Sequence, residues 1–334
     1  MFGKHLNQYR LMKHIAKLRK RIKYWQQVGS QALQDICQRI EKAYQLFFKN
    51  NKKGTRLPNF KKTRKYKSFT LKQAGYKLLS GNKIKIGKKT YKFALSREIK
   101  GKIKTLTVKR NPLGELFILV VTDFVEESFG VVTGKIAGFD FGLKTFLTVS
   151  DGTTIESPLF FNQFRFLLKS ANKNLSNKKK GSNNWYKAKA HLVRIHEFIS
   201  NKRKDWFWKL AHELTNKYDV LIFEDLNLKG MKRLWGKKVS DLSFASFLEI
   251  LICVANNKGK TVHFVDRFYP SSKTCSCCGY INQELSLKDR EWDCPSCNTK
   301  GILRDLNAAV NLQREGASSL GVEFVRPIIA GKIC

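Results

Sequence analysis

Apolar residues recur along this 334-residue chain in different rhythms, and each change of rhythm marks a new part. Up to about residue 50 they fall every three or four positions: Leu11, Ile15, Leu18, Ile22 and Trp25, then Leu33, Ile36, Ile40, Tyr44 and Phe47. Each set is one stripe along a helix. Between 66 and 128 the rhythm shortens. Segments 66–71, 83–86, 91–95, 103–109 and 116–122 alternate or run apolar, divided by Gly81-Asn82, Gly87, Gly101 and Asn111-Pro-Leu-Gly114. Five short strands with such turns predict a small β-barrel.

From about 135 the strands become continuously apolar, which is the mark of burial on both faces. Segment 135–141 (Lys-Ile-Ala-Gly-Phe-Asp-Phe) and segment 219–224 (Asp-Val-Leu-Ile-Phe-Glu) each end in or beside an acid. Segment 145–150 pairs with the first, and Asp151-Gly152 is a hairpin signal. A long basic helical region follows over 165–217, with Trp185, Ala188, Leu192, Ile195, Ile199, Trp206, Leu210 and Leu214 on its stripe. The polar loop 177–183 divides it into a hairpin of two helices. A helix over 240–257 and a strand over 261–266 complete the series. Strand, strand, helices, strand, helix, strand is an α/β layout.

Charge adds a partner to this picture. Lys and Arg number 64 against 26 Asp and Glu, a net of +38. The first 120 residues hold 32 of the basic residues and only four acids, Asp35, Glu41, Glu98 and Glu115. A surface so charged repels itself until a polyanion neutralises it, so nucleic acid is the expected partner. Arg56, Lys61, Lys62, Arg64 and Lys65 crowd around Phe60, a composition suited to a nucleic-acid strand and equally to a solvated linker. No apolar run approaches the ~18 residues of a membrane span, and no membrane role is expected.

Four of the eight cysteines form two pairs, Cys275/Cys278 and Cys294/Cys297, with fifteen residues between. That spacing specifies a closed tetrahedral Zn²⁺ site of structural type. Cys277 lies inside the first pair and the paired spacing favours Cys278. Metal-type usage in place of a disulfide framework implies a reducing, cytoplasmic setting.

Candidate chemistry rests on carboxylates. Asp140 and Glu224 stand at strand ends, and Asp305 opens a helical segment eight residues after Cys297. Gly138 and Gly142 flank Asp140, which reads as room for a phosphate to approach. Phosphodiester hydrolysis needs an activated water and a stabilised leaving oxygen, which two divalent ions held by carboxylates supply. Hard Mg²⁺ prefers such oxygen donors. Singly, each acid also fits a cap or surface group, and Asp151, Asp225 and Asp266 are similar acids nearby.

The combination resembles a known family. Gly138-Phe-Asp-Phe-Gly-Leu-Lys144 is similar to the first RuvC motif of the TnpB/OrfB proteins of bacterial insertion sequences, and Glu224-Asp-Leu-Asn-Leu-Lys-Gly-Met231 to the second. Pro270-Ser-Ser-Lys-Thr-Cys275 through Cys297, then Arg304-Asp-Leu-Asn-Ala-Ala-Val-Asn311, resembles the zinc ribbon and third motif. The resemblance spans roughly 30–330. It implies a ribonuclease-H-like RuvC domain with an inserted zinc ribbon, preceded by a helical recognition region and a wedge-like barrel. It also implies RNA-guided DNA cleavage, with a guide RNA from the transposon end, target DNA as substrate, and Mg²⁺ on Asp140, Glu224 and Asp305. Arg304 would meet the scissile phosphate or, equally, form a helix-start salt bridge.

The expected divisions are 1–65 for the helical region and basic connector, 66–130 for the barrel and 131–269 for the nuclease domain. The ribbon follows over 270–300, and the third motif, a helix and a tail over 301–334. Three departures stand out: an N-terminus short of the family's usual opening strand, Ile302-Leu303 where His-Asp is usual, and a plain Cys253-Val-Ala-Asn-Asn257. They keep two further readings open, a cleavage-deficient zinc-ribbon protein that binds RNA or DNA, and a transposase.

Overall fold

A computed structural model describes residues 7–51, 54–62, 65–72, 74–125, 130–227, 236, 241–286 and 288–321. The chain divides into two units, Met1–Val125 and Glu126–Cys334.

In the first unit, helices α1 (Gln8–Arg21), α2 (Lys23–Gln26) and α3 (Ser30–Asn50) precede six strands. These are β1 (Ser68–Leu71), β2 (Tyr76–Leu79), β3 (Lys83–Ile86), β4 (Lys89–Lys92), β5 (Ile103–Arg110) and β6 (Leu116–Thr122). Asn7 caps α1 by accepting the Arg10 N–H at 3.0 Å. The strands form two three-stranded antiparallel sheets, β1-β5-β6 and β2-β3-β4. Leu71, Ile84, Leu106 and Val108, drawn from both sheets, fill one shared core. Helix α3 is fixed to β1 through Asp35, which accepts the Thr70 N–H and pairs with Arg39 at 2.7 Å. Phe60 is fully exposed, and Arg64 of the basic cluster lies outside the described residues.

The second unit is built on a five-stranded sheet of order β11-β10-β7-β8-β9. Strands β7 (Ile136–Phe141), β8 (Thr145–Val149) and β9 (Thr154–Glu156) form an antiparallel meander. Strands β10 (Val220–Glu224) and β11 (Thr261–Val265) lie parallel to β7. Helices α4 (Phe160–Gln163), α5 (Arg165–Ser176) and α6 (Asn183–Lys217) join β9 to β10, and α7 (Phe244–Asn257) joins β10 to β11. The expected hairpin of α5 and α6 is present, and Ser182 caps α6 by accepting the Trp185 N–H. This order and direction of strands is the ribonuclease-H arrangement expected from the sequence.

Burial on both faces explains why the strands read as continuously apolar. Odd positions Ala137, Phe139, Leu221 and Phe223 enter the larger core with Phe146 of β8 and with Phe207, Phe244 and Phe247 from the helices. Phe139 and Phe223 stack with centroids 4.9 Å apart. Even positions of β7 and β10 face the last helix, α8 (Arg304–Ser319), where Ile222, with Val265 of β11, packs with Leu312. Helix and sheet meet backbone to backbone: a Cβ on Gly138 would lie 2.1 Å from the Ala309 carbonyl oxygen. The space beside Gly138 is therefore filled by α8, and that beside Gly142 by the Thr145 carbonyl at 2.5 Å. Both glycines serve close packing, a correction to their reading as room for phosphate. Among the described residues, no helix is long and apolar enough to cross a membrane.

Candidate active site and metal centre

Strand register brings the acids together. Phe139 pairs with Phe223, so Asp140 and Glu224 stand side by side at the ends of parallel neighbours. Both share the parity of the positions that face α8, and Asp305 lies in the first turn of that helix. Asp140 is partly buried. Loss of water holds its carboxyl well above the ordinary range, and the negative charges of Asp305 and then Glu224 push it further. Arg304 and Arg290 act against this rise. Burial and the neighbouring Asp225 raise Glu224 to about 6. A buried carboxyl flanked by further negative charge is favoured when a cation or a proton compensates it.

Asp305 is held by the ribbon. Strand β12 (Glu291–Trp292) pairs antiparallel with β13 (Ile302–Leu303), and the Arg304 N–H donates to the Arg290 carbonyl at 2.9 Å. Helix α8 starts at that point. Farther along it, Asn307 accepts the Ser276 N–H at 2.9 Å and donates to the Thr274 carbonyl at 2.7 Å. Asn311 donates to the carbonyls of Ser271 and Thr274, and Arg314 to that of Ser276. The two asparagines are buried and tie α8 to the loop entering the first cysteine pair.

Cys275, Cys278, Cys294 and Cys297 bring their sulfurs within 4.8 Å of one another. The Cys275–Cys297 and Cys278–Cys294 separations are 3.8 and 3.6 Å. Four thiolates about 2.3 Å from a central Zn²⁺ would stand about 3.8 Å apart, so the residues fit the ion. Burial pushes the Cys275 thiol up to about 12, whereas the Thr299 hydroxyl and N–H draw Cys297 down to about 6. Cys278, favoured over Cys277 by the paired spacing, completes the cluster.

Arg290 escaped the sequence reading. It pairs with Asp305 at 3.6 Å, whereas Arg304 directs Nη1 to the Ser286 carbonyl at 3.2 Å. The neighbouring acids have other occupations. Asp151 accepts hydrogen bonds from Lys217 and Tyr218, Asp225 pairs with Arg267, and Asp266 caps a turn through the Phe268 N–H. Residues 228–231 of the second motif lie outside the described residues.

A ribonuclease-H-like sheet with strand-end carboxylates and a four-cysteine ribbon defines the RuvC class of fold. Comparison with known proteins narrows it. Residues 125–234 match the OrfB family of the IS605 type, described as "Probable transposase", and residues 244–312 match the Cas12f1-like TNB domain. A "Putative RNA-guided DNA endonuclease" of Streptomyces pristinaespiralis is 27% identical, over 93% of this chain and 78% of the relative. Its Escherichia coli counterpart, InsQ, is 28% identical over 90% of this chain and 78% of the relative. The TnpB-like protein L79 of Acanthamoeba polyphaga mimivirus is 30% identical over 64% and 43%. Among solved structures, the Cas12f1–sgRNA–target DNA complex superposes with a TM-score of 0.51 at 18% identity, over 85% of this chain and 71% of that one. The fold is shared with it. Across residues 125–312 the chain is similar to proteins of the TnpB/OrfB family.

Proposed function

We propose that this protein is a transposon-associated, RNA-guided DNA endonuclease whose hydrolytic site is Asp140, Glu224 and Asp305. The observation that carries the reading is that Asp140 and Glu224 end neighbouring parallel strands, and that the charge of Asp140 is destabilised by those of Asp305 and Glu224. An all-oxygen, multiply anionic donor set suits Mg²⁺. When bound there, Mg²⁺ would activate a water and stabilise the leaving oxygen of a phosphodiester.

The chain's own residues do the rest. Asp140 and Glu224 are fixed by the strand ladder, and Asp305 by the ribbon, so the donors need little reorganisation. Arg290, on the rim beside Asp305, is positioned to meet a phosphate, and Arg304 adds positive potential from the start of α8. The zinc-type cluster has all four positions taken by sulfur and serves as a brace. The partners in this reading are a guide RNA transcribed from the transposon end, which reads the target by pairing, and the target DNA.

The test is cleavage of a plasmid library in Mg²⁺ by protein co-expressed with RNA from the DNA flanking its gene, beside Asp140→Ala. We expect guide-dependent cuts that vanish in the variant while RNA still co-purifies. Bound RNA without cuts by the native chain would reduce the protein to a nucleic-acid binder.

A further inference from the structure

Strands β7, β10 and β11 are parallel and bring their C-terminal ends to one edge of the sheet, the edge that carries Asp140 and Glu224. Val265 ends β11 in register with Glu224. At roughly 5 Å per strand, it stands about 5 Å from Glu224 and about 10 Å from Asp140. Three residues on, Phe268 is 86% exposed.

A single exposed apolar side chain is ordinary. The surroundings of this one are not. The Asp266 carboxylate accepts the Phe268 N–H at 2.8 Å, and the Asp266 carbonyl accepts the Tyr269 N–H at 3.1 Å. Arg267, immediately before the ring, is paired with Asp225, the residue after Glu224. Tyr269, immediately after it, packs onto Ile222, Val265 and Leu312. The turn is thus pinned on both sides, and it holds an aromatic face in water at the end of the strand that neighbours the one carrying Glu224.

We infer that Phe268 is a seat on which one base of the DNA strand stacks while the adjoining phosphodiester lies at the carboxylates. The inference rests on the nuclease reading above and extends it by naming the group that orients the strand. Every base offers a π face, so such a seat positions without reading sequence. That suits an enzyme whose sequence choice is made elsewhere by base pairing. Arg267 contributes by offsetting the Asp225 charge, which would otherwise repel an approaching phosphate. Phe268 is accordingly a positioning residue.

The experiment has two readouts on the full chain. In the first, an Asp140→Ala background binds short single-stranded DNA carrying the fluorescent base 2-aminopurine. We expect part of the stacking quench to disappear in Phe268→Ala and to return in Phe268→Tyr. Phe166→Ala, which removes a comparably exposed ring on α5, should leave it intact. In the second, guided cleavage by Phe268→Ala should show KM raised about tenfold with kcat largely kept, the scale of one lost base stack. The melting temperature should not move, because the ring covers no core.

Unchanged quenching and unchanged KM in Phe268→Ala would overturn the inference. A native chain that never cuts, yet shows Phe268-dependent quenching, would overturn the nuclease reading and leave the seat standing.

Discussion

At Gly138 a missing side chain decides how the two halves of the site meet. The carbonyl of Ala309 and the amide of Gln313 occupy the place of a Cβ, at 2.1 and 2.6 Å, and backbone cannot swing aside as a flexible side chain would. Gly138→Ala should therefore cost about 3 kcal/mol, the upper end of overpacking, against the few tenths gained from a stiffer unfolded chain. For a unit of this size we expect melting to fall by roughly 6–12 °C, read by calorimetry. An unchanged melting temperature would contradict the packing. Asp151 makes a different test. Burial alone would raise its carboxyl, but hydrogen bonds from Lys217, Tyr218 and Thr153 outweigh this and hold it below the usual range. A depressed carboxylate stabilises the fold fully above its unfolded pKa near ~3.9 and loses that contribution as pH falls toward the folded value. Asp151→Asn should cost about 1 kcal/mol at neutral pH, given partial exposure, and should flatten the acid limb of the stability curve. Equal acid limbs in both proteins would refute this. Residues that end an apolar strand in an acid, such as Asp140 and Glu224, were legible because an uncompensated charge there is costly. Gly138 was misread because sequence does not say which backbone fills the space beside it. Arg290 was missed because a residue in a ribbon loop follows no periodicity.

Among the elements, the ribbon would couple metal binding to the proposed catalytic edge. Its thiolates hold one end of the 275–297 loop together, and β12–β13 with Asn307 and Asn311 carry that order into the first turns of α8. Removing zinc should therefore disturb Asp305 without dismantling the five-stranded sheet, whose core is separate from the ribbon's. We expect Cys294→Ser, or chelation, to abolish cleavage while far-UV circular dichroism changes little. Hydrogen exchange should rise in the ribbon and at 302–307 and stay slow in β7 and β10. Loss of protection across β7 and β10 would show that the metal holds the whole unit. Asn307→Ala should reproduce part of the effect with zinc still bound. Long, doubly buried strands and the α5–α6 hairpin were readable from rhythm alone. Strand β2 was not, because Tyr-Lys-Leu-Leu is four residues between turns and gains its strand character only by pairing Tyr76 with Ile86 and Leu79 with Lys83. Helix α4 also escaped notice, since it starts at Leu159 in a left-handed conformation that local propensity disfavours.

On the scale of the whole molecule, charge and fold oppose each other. Most of the net +38 belongs to the Met1–Val125 unit, whose buried apolar side chains among the described residues are Ala32, Leu33, Cys37, Leu71, Ile84, Leu106 and Val108. Self-repulsion therefore falls on the unit least able to absorb it. Salt screens that repulsion, because the Debye length shrinks to ~10 Å at 0.1 M. The same salt weakens nucleic-acid binding, since each counterion released into a saltier solution gains less entropy; several phosphate contacts lose roughly 10³–10⁵ in affinity between 50 and 200 mM. The two effects carry opposite signs and can be separated. In the free protein, amide exchange in β5 and β6 should slow as salt rises, because screening stabilises the unit. In the RNA complex it should quicken over the same range, because the bound polyanion that neutralised the charge is being lost. Exchange that slows with salt in both states would mean that the basic surface of this unit is not where the RNA binds. A crossover would place the polyanion on it, and would explain why so small a core can carry so large a charge.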